Sequence, residues 1–311
     1  MQEVRVFAPA TVANVAVGFD ILGYDINRPG DEIVARFNPK LKGLKITAVT
    51  GTGNKTLPTE VMQNTAGVAA HCLLEHLGES DRGIELEVHK KMPFGSGLGS
   101  SAASAAGAVV AVNQLLGAPL SRESLLYFAV LGEEVADGSF HADNVAPSLV
   151  GGITLIRSNE SLDIHHLPVP SNLRVAVVHP DIEILTRDAR AVLSDTISLK
   201  KAISQTGSLA SFITALYTND LPLLGRSLHD HIVEPQRKQL ITGFDDVKQA
   251  AMARGALGCS ISGAGPSVFA LCDSGYLAQA VGQGMQESFA QQGITSQLYV
   301  SPINEEGVVV L

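Results

Sequence analysis

The 311-residue chain has no tryptophan, 3 cysteines and only 5% aromatic residues. Cys72, Cys259 and Cys272 are odd in number and lack metal-type spacing, so buried free thiols in a reducing compartment fit better than a disulfide framework. Positive charge is scarce as well: 22 Lys and Arg against 31 Asp and Glu give a formal net charge of −9. No run of Lys and Arg, and no basic stripe interleaved with aromatics, offers a local exception, so nucleic acid is not an expected partner. No apolar run reaches the ~18 residues of a membrane span, and no basic-then-apolar leader opens the chain. A cytoplasmic protein with no membrane partner is expected. Internal repeats are missing too. What is present is 45% hydrophobic residues, in a length that suits one large or two ordinary domains with real cores.

The stretch hardest to explain by folding alone runs from Pro93 through Phe94, Gly95, Ser96, Gly97, Leu98, Gly99, Ser100, Ser101 and Ala102 to Ala103. Three alternate glycines permit positive φ and keep side chains away, so successive N–H groups can converge on one oxyanion. A helix is predicted to follow from Ser100 to Leu116, because the run is almost all Ala, Val and Leu with no proline. Its first turn points unpaired N–H groups and a positive dipole end at the glycines, which is a phosphate site. The serines add hydroxyls where a phosphate oxygen or a Mg²⁺ would sit. Two common phosphate motifs are excluded: no Lys-Ser/Thr pair follows the second glycine, and the dinucleotide glycine spacing is broken. Gly51 to Thr56 resembles a phosphate loop only at a glance and reads as a surface turn.

Elsewhere the pattern alternates strands and helices. Val4–Ala8, Ile33–Phe37, Leu44–Val49, Ile84–Lys90, Ile153–Arg157 and Leu173–Val178 read as strands, the first ending at Pro9. Asn64–Leu77, Ser121–Ala136, Ser198–Tyr217 and Tyr276–Phe289 read as helices, Asn64 and Ser121 serving as N-caps. In the stretch from Pro9 to Asp20, Asn14 and Asp20 read on residues alone equally well as backbone-bonding Asx turns or as site residues. Glu133 and Glu134 oppose the dipole at a helix end, so another interaction is expected to reward one of them. His71 and His76 have no third ligand spaced with them, and His229, Asp230, His231 and Glu234 read as a solvated helix end rather than a metal set. The polar stretch from Ser158 to Pro170 suggests a division into residues 1–160 and 161–311.

Pro93 to Ala102 resembles the nucleotide-binding motif of the GHMP kinases, and Ser262 to Pro266 resembles their third motif, a glycine loop closing over the phosphates. Within that superfamily, Pro9 to Gly23, His141 to Pro147, Thr186 to Arg190 and Glu234 to Arg237 are similar to the homoserine kinases. One departure is Val15-Ala16-Val17, where Leu-Gly-Pro is more usual. The resemblance implies an α+β fold: a ribosomal-S5-like N-terminal domain and a ferredoxin-like C-terminal domain, with ATP between them. It implies phosphorylation of L-homoserine in threonine biosynthesis, with ATP and Mg²⁺. Pro93 to Ala103 would hold the triphosphate, with Asn64 near the nucleoside, and Ser101 and Glu133 would ligate Mg²⁺. Asp20 would take the substrate ammonium, Arg190 and Arg237 its carboxylate, with Asn14, Thr186 and Gly263 completing the pocket. Asn144 would orient the attacking hydroxyl, with Arg190 at the same centre. Whether Asp143 is a general base stays open; the reading without a dedicated base is preferred. A homodimer is the family expectation. The alternatives are another GHMP kinase with a different hydroxyl substrate and a regulatory protein that kept the fold without catalysis.

Overall fold

The structure, a computed structural model, describes residues 2–53, 55–138 and 140–311. Among the described residues, seven strands form the first sheet: β1 (Glu3–Ala13), β2 (Leu22–Phe37), β3 (Leu44–Thr50), β4 (Ile84–His89), β5 (Ile153–Ser158), β6 (Asp163–Leu167) and β11 (Val309–Val310). The strands run β11-β1-β2-β4-β3, with β5 beside β2 and β6 beside β5. β2 branches the sheet. Its first residues, Leu22 to Tyr24, pair with β5, whereas Glu32 to Phe37 pair with β4; Pro29 and Gly30 lie where the strand changes partner.

Among the described residues, four α-helices belong to this half: α1 (Thr65–His76), α2 (Ser100–Leu115), α3 (Arg122–Asp137) and α4 (Val145–Val150). α2 is the central one and packs on β1, β2 and the other three. Its Ala, Val and Gly residues from Ala102 to Asn113 are all buried, because small side chains let a helix sit close on both sheet and neighbours. Two caps predicted from sequence form: Asn64 Oδ1 accepts from Ala66 N at 3.0 Å, and Ser121 Oγ accepts from Ser124 N at 3.4 Å.

The second sheet holds β7 (Arg174–Pro180), β8 (Gly258–Ile261), β9 (Val268–Cys272) and β10 (Ser296–Pro302), all antiparallel in the order β10-β7-β9-β8. Counted within this half, that order is 4-1-3-2, the ferredoxin-like arrangement. Between β7 and β8 lie α5 (Thr186–Ala191), α6 (Leu199–Thr218), α7 (Leu221–Ser227), α8 (Glu234–Arg237) and α9 (Phe244–Ala253); α10 (Gly275–Gln291) precedes β10. α9 and α10 cover a core of Val178, Phe244, Val247, Ile261, Val281, Met285 and Phe289. The other core runs through both sheets, and Tyr24 of β2 meets Phe269 of β9 edge to face at 6.1 Å.

Three features differ from the sequence reading. β1 does not stop at Pro9 but continues to Ala13, with a register shift between Pro9 and Thr11 that accommodates a residue unable to donate to the ladder. The division at residue 160 falls inside the β5–β6 hairpin; by strand pairing, the first sheet extends to Leu167 and regains the chain at Val309. The His229 to Glu234 segment is not one helix end. Asp230 is buried and accepts from the N–H groups of Ile232, Val233 and Glu234 at 2.8 to 2.9 Å, and Glu234 is held by Ser260 and Lys248.

Candidate active site

The polar residues gather where the two sheets meet. β1 ends at Ala13, and the chain then turns through Asn14, Val15 and Ala16 at φ 69°, 44° and 60°, with Asp20 at 61°. Left-handed backbone at a β-branched valine is costly and must be held by its surroundings. Asn14 provides much of the hold: its Oδ1 accepts from Asp20 N at 3.0 Å and its Nδ2 donates to Gly263 O at 2.9 Å. One side chain thus sets the Asp20 turn and ties it to the glycine loop between β8 and β9.

Asn14, Asp20, Glu133, Asp143, Asn144, Thr186, Arg190, Arg237 and Gly263 all line one cavity, joined by His141 and Ala264. Its volume of about 40 Å³ holds only roughly three waters. Arg190 donates to both carboxylate oxygens of Asp20 at 3.1 Å, a planar two-pronged pair. Arg237 is buried, donating through Nε to Ala189 O at 2.9 Å and through Nη1 to Gly263 O at 3.1 Å. Burial, and then the neighbouring Arg190 charge, push its pKa down to about 10. It stays cationic at neutral pH, a desolvated charge suited to an anion. Both guanidinium groups lie over the Phe19 ring, at 5.5 Å for Arg190 and 5.0 Å for Arg237. Arg187, between Thr186 and Arg190 in sequence, is instead exposed and pairs with Asp188.

Asn144 stands at the start of α4 without capping it; its Oδ1 accepts from Thr11 Oγ1 at 2.7 Å. Across from it, Gly95, Gly97 and Gly99 have φ of 59°, 72° and 66°. At Gly97 the requirement is absolute, because a Cβ would lie 2.4 Å from Ser262 O and 2.7 Å from Gly265 O. The two glycine loops are thereby interlocked. Ser262 Oγ donates to Gly97 O at 2.7 Å, Ser267 N to Ser96 O at 3.2 Å, and Gly263 N to Ala13 O at 3.2 Å. Ser96 Oγ is buried with no hydrogen-bond partner among the described residues, which marks the cradle as a place for a polar ligand. Ser101 Oγ donates to Glu133 Oε1 at 2.7 Å, and Glu134 faces solvent. The Ser101–Glu133 oxygens fit a hard cation that keeps its remaining positions for water and phosphate. No group of three or more His, Cys, Asp or Glu forms a separate metal cluster among the described residues.

Beside the cradle opens a second cleft of about 410 Å³, lined by Gly51, Thr52, Gly53 and Leu57, by residues 90 to 94, and by Ser100 and Gln297. The 51–56 segment, read as a surface turn, therefore forms a wall of a cleft; Asn54 lies outside the described residues. Lys55 pairs with Glu183 and sits 4.1 Å above the Phe94 ring. Asn64 is not among the lining residues, and its amide is used by the α1 cap and by Pro58 O at 2.8 Å. Sequence reasoning missed Thr11, Phe19 and Asn159. Asn159 donates to Asp20 O at 3.1 Å and accepts from Ala142 N at 3.0 Å, and nothing in the sequence marks it beyond an Asn in a polar turn.

The interlocked glycine loops on a split two-sheet scaffold define a GHMP kinase. Family models described as the GHMP kinases N terminal domain and the GHMP kinases C terminal match residues 64–152 and 212–291. The chain belongs to the homoserine kinase family. It is 46% identical to the homoserine kinase of Chlorobium phaeovibrioides, with all of both chains covered. It is 43% identical to that of Chlorobaculum tepidum, covering 100% of this chain and 99% of the relative. The crystal structure of homoserine kinase from Cytophaga hutchinsonii superposes with a TM-score of 0.97 at 50% identity, covering 100% of this chain and 98% of the other. L. major mevalonate kinase, at 20% identity and a TM-score of 0.72 over 96% of each chain, shares the fold.

Proposed function

We infer that the protein transfers the γ-phosphoryl group of ATP to the side-chain hydroxyl of L-homoserine, giving O-phospho-L-homoserine and ADP on the way to threonine. The observation that carries this reading is the cavity that joins Asp20, Arg190 and Arg237 to Asn144, with the glycine cradle immediately behind. One carboxylate and two guanidiniums suit a zwitterionic amino acid. The amino acid's ammonium would bind Asp20 and its carboxylate Arg190 and Arg237, with Thr186, Asn14 and Gly263 as further wall. That leaves the hydroxyl end toward Asn144, whose amide, fixed by Thr11, orients the oxygen.

Phosphoryl transfer needs positioning and charge neutralisation more than covalent chemistry. The backbone of Gly95 to Ser101 and the α2 N-terminus would hold the phosphates, and Ser96 Oγ would find its partner there. Ser101 and Glu133 would hold Mg²⁺, which supplies charge neutralisation at the phosphate oxygens when bound. Arg190 and Arg237 exclude substrates that lack an anionic end. In this reading the hydroxyl proton passes to phosphate without a dedicated base; Asp143, buried beside Asn144, is the competing acceptor. A cytoplasmic homodimer completes the reading, on family resemblance. The test is coupled ADP release with MgATP and a panel of L-homoserine, D-homoserine, L-serine, mevalonate and galactose. Strong preference for L-homoserine is expected; turnover of another member in its place would reject the assignment.

A further inference from the structure

The glycine loop from Pro93 to Gly99 has few side chains of its own to hold it, yet its N–H groups must be aimed at one point. What fixes its two ends is Asp31 of β2, fully buried at 0% exposure. Asp31 Oδ1 accepts from Lys91 N at 2.7 Å and Met92 N at 3.2 Å, just before the loop. Its Oδ2 accepts from Ser100 Oγ at 3.1 Å, just after it. A single carboxylate therefore closes the loop. Lys90 pairs with Asp31 and is itself nearly buried, donating to Ser100 O and Ser104 Oγ at 2.6 Å each in the first turn of α2.

A buried ion pair is a poor source of stability, because desolvation offsets most of its attraction. Its value here lies in geometry and charge. An anion at the positive end of α2 would satisfy the helix dipole but compete with a triphosphate for it. Lys90 cancels that charge, so the first-turn N–H groups remain available to phosphate. We propose that Asp31 and Lys90 are positioning residues for the nucleotide: Asp31 sets the span of the glycine loop, and Lys90 keeps the clamp electrically neutral. The proposal rests on the reading of the loop as the ATP site.

The variants Lys90→Met, Asp31→Asn and the double variant are to be compared by KM for MgATP, KM for L-homoserine and melting temperature. Lys90→Met leaves an uncompensated buried carboxylate and raises the KM for ATP at least about tenfold, while that for L-homoserine stays within about threefold. Adding Asp31→Asn to Lys90→Met removes the anion and recovers part of the loss. A lower melting temperature with unchanged KM for ATP, or equal rises in both KM values, would overturn the proposal. Ser104→Ala deletes one Lys90 bond, together with the Ser104 Oγ bond to Ser100 O at 3.1 Å, in a helix that favours alanine; should Lys90→Met not fold, its KM for ATP decides, with a rise of about two- to fivefold expected and no change fatal. Absence of homoserine turnover in the unaltered protein would instead count against the function itself.

Discussion

Asp20 and Arg190 hold each other through two parallel N–H···O bonds of 3.1 Å, joining the turn after β1 to α5. They are the groups assigned above to opposite ends of an amino acid. A zwitterion can exchange with this pair and leave every charge matched: its ammonium replaces Arg190 on Asp20, and its carboxylate replaces Asp20 on Arg190. A ligand with one charge opens the pair and satisfies only half of it. Asp20→Asn should raise the KM for L-homoserine about 100-fold, since a charge-assisted bond is lost. The same variant should bind 4-hydroxybutyrate, which lacks the ammonium, about tenfold better than the unaltered protein, because the Asp20 carboxylate no longer competes for Arg190. Equal affinity of both proteins for 4-hydroxybutyrate would reject the exchange.

Ser96 offers a separate test of the cradle. Removing a buried hydroxyl that has no partner relieves an unsatisfied group, so Ser96→Ala should melt no lower than the parent. If the hydroxyl serves the phosphates, the KM for ATP rises about fivefold. Gly97→Ala contrasts with it: a Cβ 2.4 Å from Ser262 O forces the two glycine loops apart, and both melting temperature and nucleotide affinity should fall.

Glu133→Gln keeps the size of the side chain and the possibility of the Ser101 bond but removes the charge. Titration of activity against Mg²⁺ should show a higher metal requirement and a kcat lower by about 100-fold, with the KM for L-homoserine little changed. A metal requirement identical to the parent's would remove Glu133 from the metal site.

The acid limb of stability should carry a signature from His179, whose Nδ1 lies 3.1 Å from Ser267 Oγ beneath the second glycine loop. Burial pushes its pKa from 6.5 down to about 4. Below pH 6.5 the unfolded chain gains a proton that the folded chain refuses, so stability present above that value is lost as pH falls toward 4, by at most about 3 kcal/mol. Asp25, pushed upward by burial, contributes with the opposite sign, because the folded chain keeps its proton as pH rises past 3.8. Urea midpoints at pH 7 and 4.5 should therefore differ less in His179→Gln than in the parent; an unchanged difference would contradict the assignment.

Much of the fold was readable because its signals are local. Asn64 and Ser121 announce their helices, the Ala-rich run announces α2, and the glycines announce the cradle. The remainder depends on distant partners. β1 continues past Pro9 only because β2 supplies a register that tolerates the shift. Thr11 acquires meaning from Asn144, 133 residues away, and Asn159 from Asp20, 139 residues away. Asp31 sits inside an ordinary strand and shows its reach only once β4, the loop and α2 are side by side.

The pairing of β11 with β1 has a mechanical consequence. The chain crosses from the first sheet to the second after Leu167 and crosses back after Pro302, where Ile303 bridges Ile26. The second sheet is thus held by two covalent straps instead of one. A body on two straps is constrained at both connections, whereas one on a single linker is free to swivel about it. Arg190 and Arg237 belong to the strapped half and Asp20 to the other, so both connections bear on the width of the amino-acid pocket.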